Sequence, residues 1–237
     1  MTSAGPGRPR KQQPVRPGAT ARDEILDAAA ELFTGQGFAN TSTRAIADAV
    51  GMRQSSLYHH FGTKDDILGE LLKGTVAGGL DFARAVFSAS RPDRAVTAAA
   101  ALHAVALYDG SLLCRARWNL GVLYHLPEAR AERFETFMAD RRELRQLYRN
   151  LGQRVEELLP PAGGPGSAPL GELAFRLVES LINLRADGLV DDHSASQTAD
   201  AAVVLAGLPA ELAEVRSLSR SLISGHGGEL SGPDVVR

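Results

Sequence analysis

Apolar positions recur every three to four residues along most of the chain, the period of a helix with one buried face. Ile25, Ala28, Ala29, Leu32 and Phe33 set the first stripe. Thr20-Ala21-Arg22-Asp23 opens it as a capping box, and Gly35 and Gly37 close it. Ile46, Ala49 and Val50 predict a short helix over 43–50 that Gly51 stops, because glycine tolerates the positive φ of a helix end. Leu57 and Phe61 are four apart and share a face of a helix over 54–60. Thr63, with Asp66 three residues on, then starts a longer helix over 64–88, striped from Ile67 to Phe87. Gly74, Gly78 and Gly79 fall in its middle, where each costs up to ~1 kcal/mol against alanine. A bend or a close packing is expected there.

Beyond Ser90, Arg91-Pro92 restarts a helix carrying Val96, Ala99, Ala100, His103 and Leu107. A second is predicted over 111–125, and Pro127 opens a third running to about 159. PPAGGPGSAP (160–169) is a loop by composition. Leu170, Leu173, Ala174, Leu177, Val178, Leu181 and Ile182 make a clean amphipathic helix over 170–187, and a last helical region covers 195–220, broken near Pro209. Nowhere does the pattern alternate as a strand does, and nothing repeats. The class is all-α.

The helix over 54–60 differs from the others in its polar positions. Gln54, Ser55, Ser56, Tyr58, His59 and His60 surround its two apolar anchors. Two short helices about a glycine turn, the second rich in hydrogen-bonding side chains, form a helix–turn–helix that reads base edges in a major groove.

At these residues the chain resembles the TetR (tetracycline-repressor-like) family of bacterial transcription regulators. The matching positions are Thr43-Arg44, Ile46-Ala47, Gly51, and Leu57-Tyr58-x-His60-Phe61-x-x-Lys64, with Ile25, Ala28, Ala29, Leu32, Phe33 and the Gly37-Phe38 corner before them. The likeness covers residues 20–72 and fades beyond. It implies that Gln54, Ser55 and Ser56 point into the groove, where glutamine pairs with adenine and serine bonds either edge type. Arg44 reaches guanine or a phosphate, and His59 a base or the backbone. Thr43, Tyr58, His60 and Lys64 are implied phosphate contacts, which position without specifying. Arg53 and Ser55 depart from the family's small capping residue and its glycine, leaving the base assignments open.

Charge changes the picture only by its distribution. Residues 1–64 carry 8 Lys/Arg against 5 Asp/Glu, whereas 65–237 carry 18 against 23. The basic end holds the helix–turn–helix, as phosphate attraction requires. Arg8, Arg10, Lys11 and Arg16 lie in a Pro- and Gly-rich start, 1–19, expected to be disordered: either an arm along the DNA or a solvated tail. That start lacks the apolar region of a secretory signal, and no uninterrupted apolar run approaches ~20 residues, so a cytoplasmic protein is expected. Lone Cys114 rules out an internal disulfide; beside Arg115 and Arg117 it is either a thiolate sensor or a small core residue. The six histidines show no metal-ligand spacing, and no phosphate-loop or nucleophile-elbow pattern occurs, so neither an enzyme nor a metal or cofactor is expected.

The expected organisation is therefore a basic arm over 1–19, a three-helix DNA-binding domain over 20–64, a larger helical effector-binding and dimerisation domain over 65–224, and a loose tail over 225–237. Family resemblance implies a homodimer on a palindromic operator in double-stranded DNA. The stripes over 170–187 and 195–220 either form its interface or face the chain's own core. His103, Tyr108, Trp118, Tyr124, His125, Phe137 and Tyr148 are candidates to line a pocket for a small, mostly apolar effector, the other reading of each being core packing. Effector binding would shift the helix over 64–88 and release the DNA, with Gly74, Gly78 and Gly79 as the coupling point. The alternative is a constitutive DNA-binding protein without an effector.

Overall fold

The computed structural model describes residues 16–130, 132–159 and 168–226. Among these the regular elements are nine α-helices and three 3₁₀ turns, in agreement with the all-α class. The chain divides into two compact units, one ending at Lys64 and the other beginning at Asp65.

The first unit is built from α1 (Ala21–Gly35), α2 (Thr43–Val50) and α3 (Gln54–Tyr58). Thr20 Oγ1 accepts from Asp23 N at 3.2 Å while Asp23 Oδ2 accepts from Thr20 N at 3.0 Å, completing the predicted capping box. Ser42 caps α2 through Ala45 N at 3.0 Å, and Gly51 ends it with φ 73°, where a Cβ would strain the backbone. The apolar stripes meet in one small core: Ile25, Ala29, Phe33, Ile46, Ala47, Leu57 and Phe61 are all buried. Phe33 and Phe38 pack edge to face at 4.9 Å.

Most of the expected arm, residues 1–15, lies outside the described residues. Arg16 does not, and its assignment to the arm is corrected. Its Nη1 donates to Asp27 at 2.9 Å, its Nη2 pairs with Glu31 at 2.5 Å, and its Nε donates to Ala49 O at 3.0 Å. Asp27 is wholly buried, so the guanidinium supplies the partner a buried carboxylate needs, and it also satisfies an end carbonyl of α2. Arg16 clamps α1 to α2.

The second unit comprises α4 (Lys64–Ala89), which opens at the last residue of the first, then α5 (Ala95–Arg115), α6 (Glu135–Glu156), α7 (Leu170–Ala186), α8 (Ser194–Leu205) and α9 (Leu212–Gly225). Of the helix predicted over 111–125, the first part is the end of α5 and the last a 3₁₀ turn at Leu120–His125. Two further 3₁₀ turns, Glu128–Arg130 and Glu132–Phe134, precede α6, which starts at Glu135 rather than at Pro127. Arg185 of α7 explains where α5 stops. It donates to Leu113 O at 2.6 Å, to Ala116 O and to Arg117 O at 3.1 Å, satisfying carbonyls that would otherwise continue the helix.

α5 is the core helix, packed by α6, α7, α8 and α9. It runs unbroken through Asp109-Gly110-Ser111, all three buried, and a Cβ on Gly110 would stand only 3.0 Å from Leu181, so glycine is what lets α7 approach. By length and composition alone, with an 18-residue window of mean hydropathy 1.4, it could cross a membrane, although Thr97, His103, Asp109 and Ser111 interrupt it and no unbroken apolar run approaches that length, as expected. Here 72% of the stretch is buried inside the protein.

Two glycine contacts fix the helices around it. A Cβ on Gly152 of α6 would lie 2.2 Å from Gly171 N, and one on Gly171 would lie 2.0 Å from Tyr148 O, so α6 and α7 touch backbone to backbone. Glu156 Oε1 caps α7 by accepting from Leu170 N at 2.8 Å, and Arg145 and Arg149 both bond Glu172 across the seam. In α4 Gly78 and Gly79 mark close packing: a Cβ on Gly79 would sit 2.7 Å from Asp109 Oδ1, and one on Gly78 3.2 Å from Leu112. The proposed loop falls mostly outside the description, which omits 160–167, as does the tail from 227 on.

The stripes expected at a dimer surface are turned inward. Leu170, Ala174, Val178, Leu181 and Ile182 of α7, and Ala195, Ala199, Ala202 and Val203 of α8, are buried within the second unit. Exposed large apolar residues on these helices are Leu173, Leu184, Val204 and Leu205.

Candidate nucleic-acid interface and effector cavity

The turn between α2 and α3 brings their polar residues onto one exposed surface of the first unit. Thr43 Oγ1 and Tyr58 Oη are 3.1 Å apart, although 15 residues separate them. Gln54 Nε2 donates to Thr43 Oγ1 at 2.9 Å and more weakly to Tyr58 Oη at 3.4 Å. This triad ties the start of α2 to α3. With both amide hydrogens so engaged, Gln54 presents its carbonyl oxygen, an acceptor for the exocyclic amine of adenine or cytosine. Bidentate pairing with adenine uses that oxygen and one N–H, so Gln54 must give up one of the two bonds, the weaker being that to Tyr58.

Arg44, Ser55, His59 and His60 are exposed, Tyr58 is 48% exposed, and Ser56 is half-buried. Arg44 lies 3.9 Å from Asp48, a loose pair on a highly exposed face and therefore easily exchanged for a phosphate. Arg53 offers no side-chain cap to α3. Lys64 is placed differently from the other eight. Its Nζ donates to Phe38 O at 2.7 Å and Thr41 O at 2.9 Å, and sits 4.1 Å from the Phe38 ring centroid. Two of its three donors hold the loop between α1 and α2.

The seven candidate effector residues are not gathered around one space. His103 is buried between α5, α8 and α9: Nδ1 lies 2.9 Å from Ser219 Oγ and Nε2 lies 3.2 Å from Asp200, which Arg216 also grips. Burial lowers its pKa against the opposing pull of Asp200, keeping the ring neutral. Tyr108 stacks on Phe82 at 4.3 Å, and Phe137 packs on Tyr124 at 5.5 Å. Trp118 follows α5 with the Arg117 guanidinium 4.9 Å from its ring centroid. His125 ends the turn Leu120–His125, and its side chain is outside the description. Tyr148, fully buried, donates to Asp109 Oδ2 at 2.9 Å and packs against Phe175. For His103, Tyr108, Trp118, Phe137 and Tyr148, core packing or a satisfied histidine fits the contacts, whereas Tyr124 lines a cavity.

A cavity does lie among these helices, with walls from α4, α5, the turn at Tyr124, α6 and α7. Its enclosed part is about 20 Å³, and its free space including the solvent-open side is about 310 Å³. Thr75, Asp109, Tyr124, Arg141 and Glu179 bring polar groups to it; the rest of the lining is apolar. Burial pushes the Asp109 carboxyl up to about 6, opposed by the Tyr148 hydrogen bond and helped by the charge of Glu179. Burial likewise raises the Tyr124 hydroxyl. Arg141 Nη2 bonds Glu179 Oε1, and Arg176 Nη1 takes the other oxygen at 2.8 Å.

Reasoning from aromatic residues missed Asp109, Arg141 and Glu179. The signal was a charge standing on a buried stripe: Phe137, Arg141, Leu144 and Tyr148 are spaced four, three and four, and Phe175, Glu179 and Ile182 four and three. Cys114 is half-buried, and burial raises its thiol pKa despite Arg185 and Arg115, which removes the basis of a thiolate sensor.

Residues 25–71 match the profile of bacterial regulatory proteins of the tetR family. Over 71 residues the chain is 44% identical to an HTH-type transcriptional repressor, KstR2, of Rhodococcus jostii; this covers 25% of the chain and 35% of that protein. The match thus spans about a third of the curated relative. Across almost the full length, the fold superposes on the crystal structure of Mycobacterium smegmatis AmtR with TM-score 0.80 and 47% identity, covering 92% of this chain and 99% of that one. The ketosteroid transcriptional regulator KstR2 of Mycobacterium tuberculosis shares the fold alone, at TM-score 0.55 and 19% identity.

Proposed function

The chain belongs to the TetR family of bacterial transcriptional regulators, and on that premise we propose that it is a repressor: a homodimer bound to a palindromic operator and released by a small molecule held in its second unit. It is a DNA-binding regulator and not an enzyme. The observation that carries the reading is the exposed triad Thr43–Gln54–Tyr58, flanked by Arg44, Ser55, His59 and His60 on one surface. Such a surface offers donors and acceptors to base edges from α3 and to phosphates from the start of α2. Lys64 acts behind it, holding the loop that seats both helices.

One such surface reads a short half-site, so specificity calls for two copies about one helical turn of DNA apart. The dimer contact is assigned to the outer flank of α7 and α8, where Leu173, Leu184, Val204 and Leu205 remain exposed, rather than to the buried stripes. Acting on DNA, the protein works in the cytoplasm. Fluorescence anisotropy of labelled DNA from upstream of its own gene tests the whole reading. Two chains per palindrome, with affinity falling steeply as salt rises, are expected. Equal affinity for scrambled DNA would sink it.

The second reading, constitutive binding without an effector, draws on one observation. The enclosed part of the cavity, about 20 Å³, is far below the 300–1,000 Å³ common for ligand pockets. If an extract of the cell's small molecules leaves operator affinity unchanged, that reading prevails.

A further inference from the structure

We infer that the cavity among α4, α5, α6 and α7 recognises a compact neutral molecule of the carboxamide type, whose acceptor oxygen bonds Arg141 Nε and whose donor bonds Asp109. This rests on the effector reading above and gives that effector a chemical class.

Size is the first argument. About 20 Å³ of enclosed space holds a water-sized group, so the site takes the polar head of a small molecule and leaves the remainder to its open side.

The second argument is an unmet bond. Among the described residues, Arg141 Nε is the one buried side-chain nitrogen or oxygen without a hydrogen-bond partner. The guanidinium cannot simply turn away to find one. Glu179 holds its Nη2, and the rings of Tyr124 and Phe175 flank it at 5.3 and 5.8 Å. A buried donor left unpaired is costly, more so on a charged group, so a ligand that brings an acceptor recovers that cost.

Charge narrows the class. A carboxylate ligand would meet Asp109 and Glu179, and a cation would meet Arg141 in a space already short of water. A neutral dipole satisfies both ends at once. Asp109 Oδ2 already accepts from Tyr148, fixing the carboxyl plane, and Oδ1 lies against Gly79 of α4, where no side chain fits between. A donor bonded to this carboxyl is therefore bonded to the group on which α4 and α5 meet. The raised pKa of Asp109 agrees with a site that disfavours net charge.

The test uses the full-length protein with acetamide as probe, acetone as its near-isostere without a donor, and acetate as its charged counterpart. Acetamide should raise the melting temperature saturably, and acetone and acetate should act at least tenfold more weakly. R141K, which keeps a cation for Glu179, should lose at least tenfold in acetamide affinity. Because that variant can lose stability, the Arg141 Nε–H resonance of the wild type is followed in parallel and should shift with acetamide alone. Equal effects of acetone and acetamide, or an unmoved Arg141 resonance (a bound water only), would overturn the inference. Operator anisotropy in the same titration separates the two levels. A shifted Arg141 resonance with unchanged operator affinity upholds the site and removes the release reading. Release of DNA by an apolar compound that leaves Arg141 unmoved does the reverse.

Discussion

Replacing Arg16 with methionine removes a guanidinium that bonds both α1 and α2 while keeping much of the side chain's bulk. Asp27 is 0% exposed and Arg16 is 16% exposed, so the pair is shielded from water. Breaking a buried pair from one side typically costs about 3–5 kcal/mol, because the surviving charge stays buried. Asp27 keeps another partner, and Glu31 is exposed enough to turn to solvent, which places the expected loss near the lower end, about 3 kcal/mol. The Ala49 carbonyl also loses its donor. Far-UV circular dichroism during guanidinium denaturation should show the first unit unfolding at lower denaturant, with the second unit's transition unmoved. Adding Asp27→Asn should recover part of the loss, since a neutral amide no longer needs a counter-charge. The competing picture makes a different forecast. If Arg16 follows phosphates as part of a basic arm, R16M retains full stability, and the slope of log K against log salt falls by about one. That outcome would refute the clamp.

Asp109→Asn should stabilise the second unit at neutral pH. The folded carboxyl is raised from 3.8 to about 6, so its contribution is complete below pH 3.8 and lost as pH rises through 6; by linkage the gain is at most about 3 kcal/mol, and the variant's melting temperature should lack the wild type's fall over that window. Gly152→Ala should destabilise by well over 1 kcal/mol, because its methyl meets backbone at 2.2 Å; a melting temperature equal to wild type would show that α6 and α7 can separate freely. Gln54→Ala should relax base preference at one operator position by about 1–3 kcal/mol without altering the salt slope, measured by anisotropy on single-base variants. Lys64→Met should lower the stability of the first unit and leave the salt slope intact, the opposite of a phosphate contact.

The first unit was largely legible because its determinants are local. Thr20 with Asp23, Ser42 and Gly51 each act within a turn of their own position, and the apolar spacing fixes which faces meet. Arg16 was not legible: a Pro- and Gly-rich stretch reads as a tail, and nothing nearby shows that Asp27 is buried and needs a cation. In the second unit the failures share a cause. Asp109 and Gly110 fall between the two helices expected there, but Tyr148, Leu181 and Ala195 pack onto them from 39 to 85 positions downstream, and the helix runs on. The aromatic residues chosen for a ligand are spent on one another, Tyr108 on Phe82 and Tyr148 on Phe175. The polar lining of the cavity comes instead from charges on three helices, and only their shared position on buried stripes hinted at it.

The burial of α5 also bears on how the protein is made. His103, at the middle of that helix, meets Asp200 and Ser219, which follow it by 97 and 116 residues. At 5–20 residues per second a ribosome needs roughly 5–25 s to deliver those partners. For that interval an apolar stretch of bilayer-spanning length is outside the ribosome without the helices that cover it. Targeting machinery that samples nascent chains by hydrophobicity meets this segment before it is a core. Asp109 counts against its insertion, since an acidic side chain within a span is costly, by up to about 3 kcal/mol at its centre and less towards its ends. The carboxyl that destabilises the finished unit thus helps to keep the unfinished chain out of the membrane.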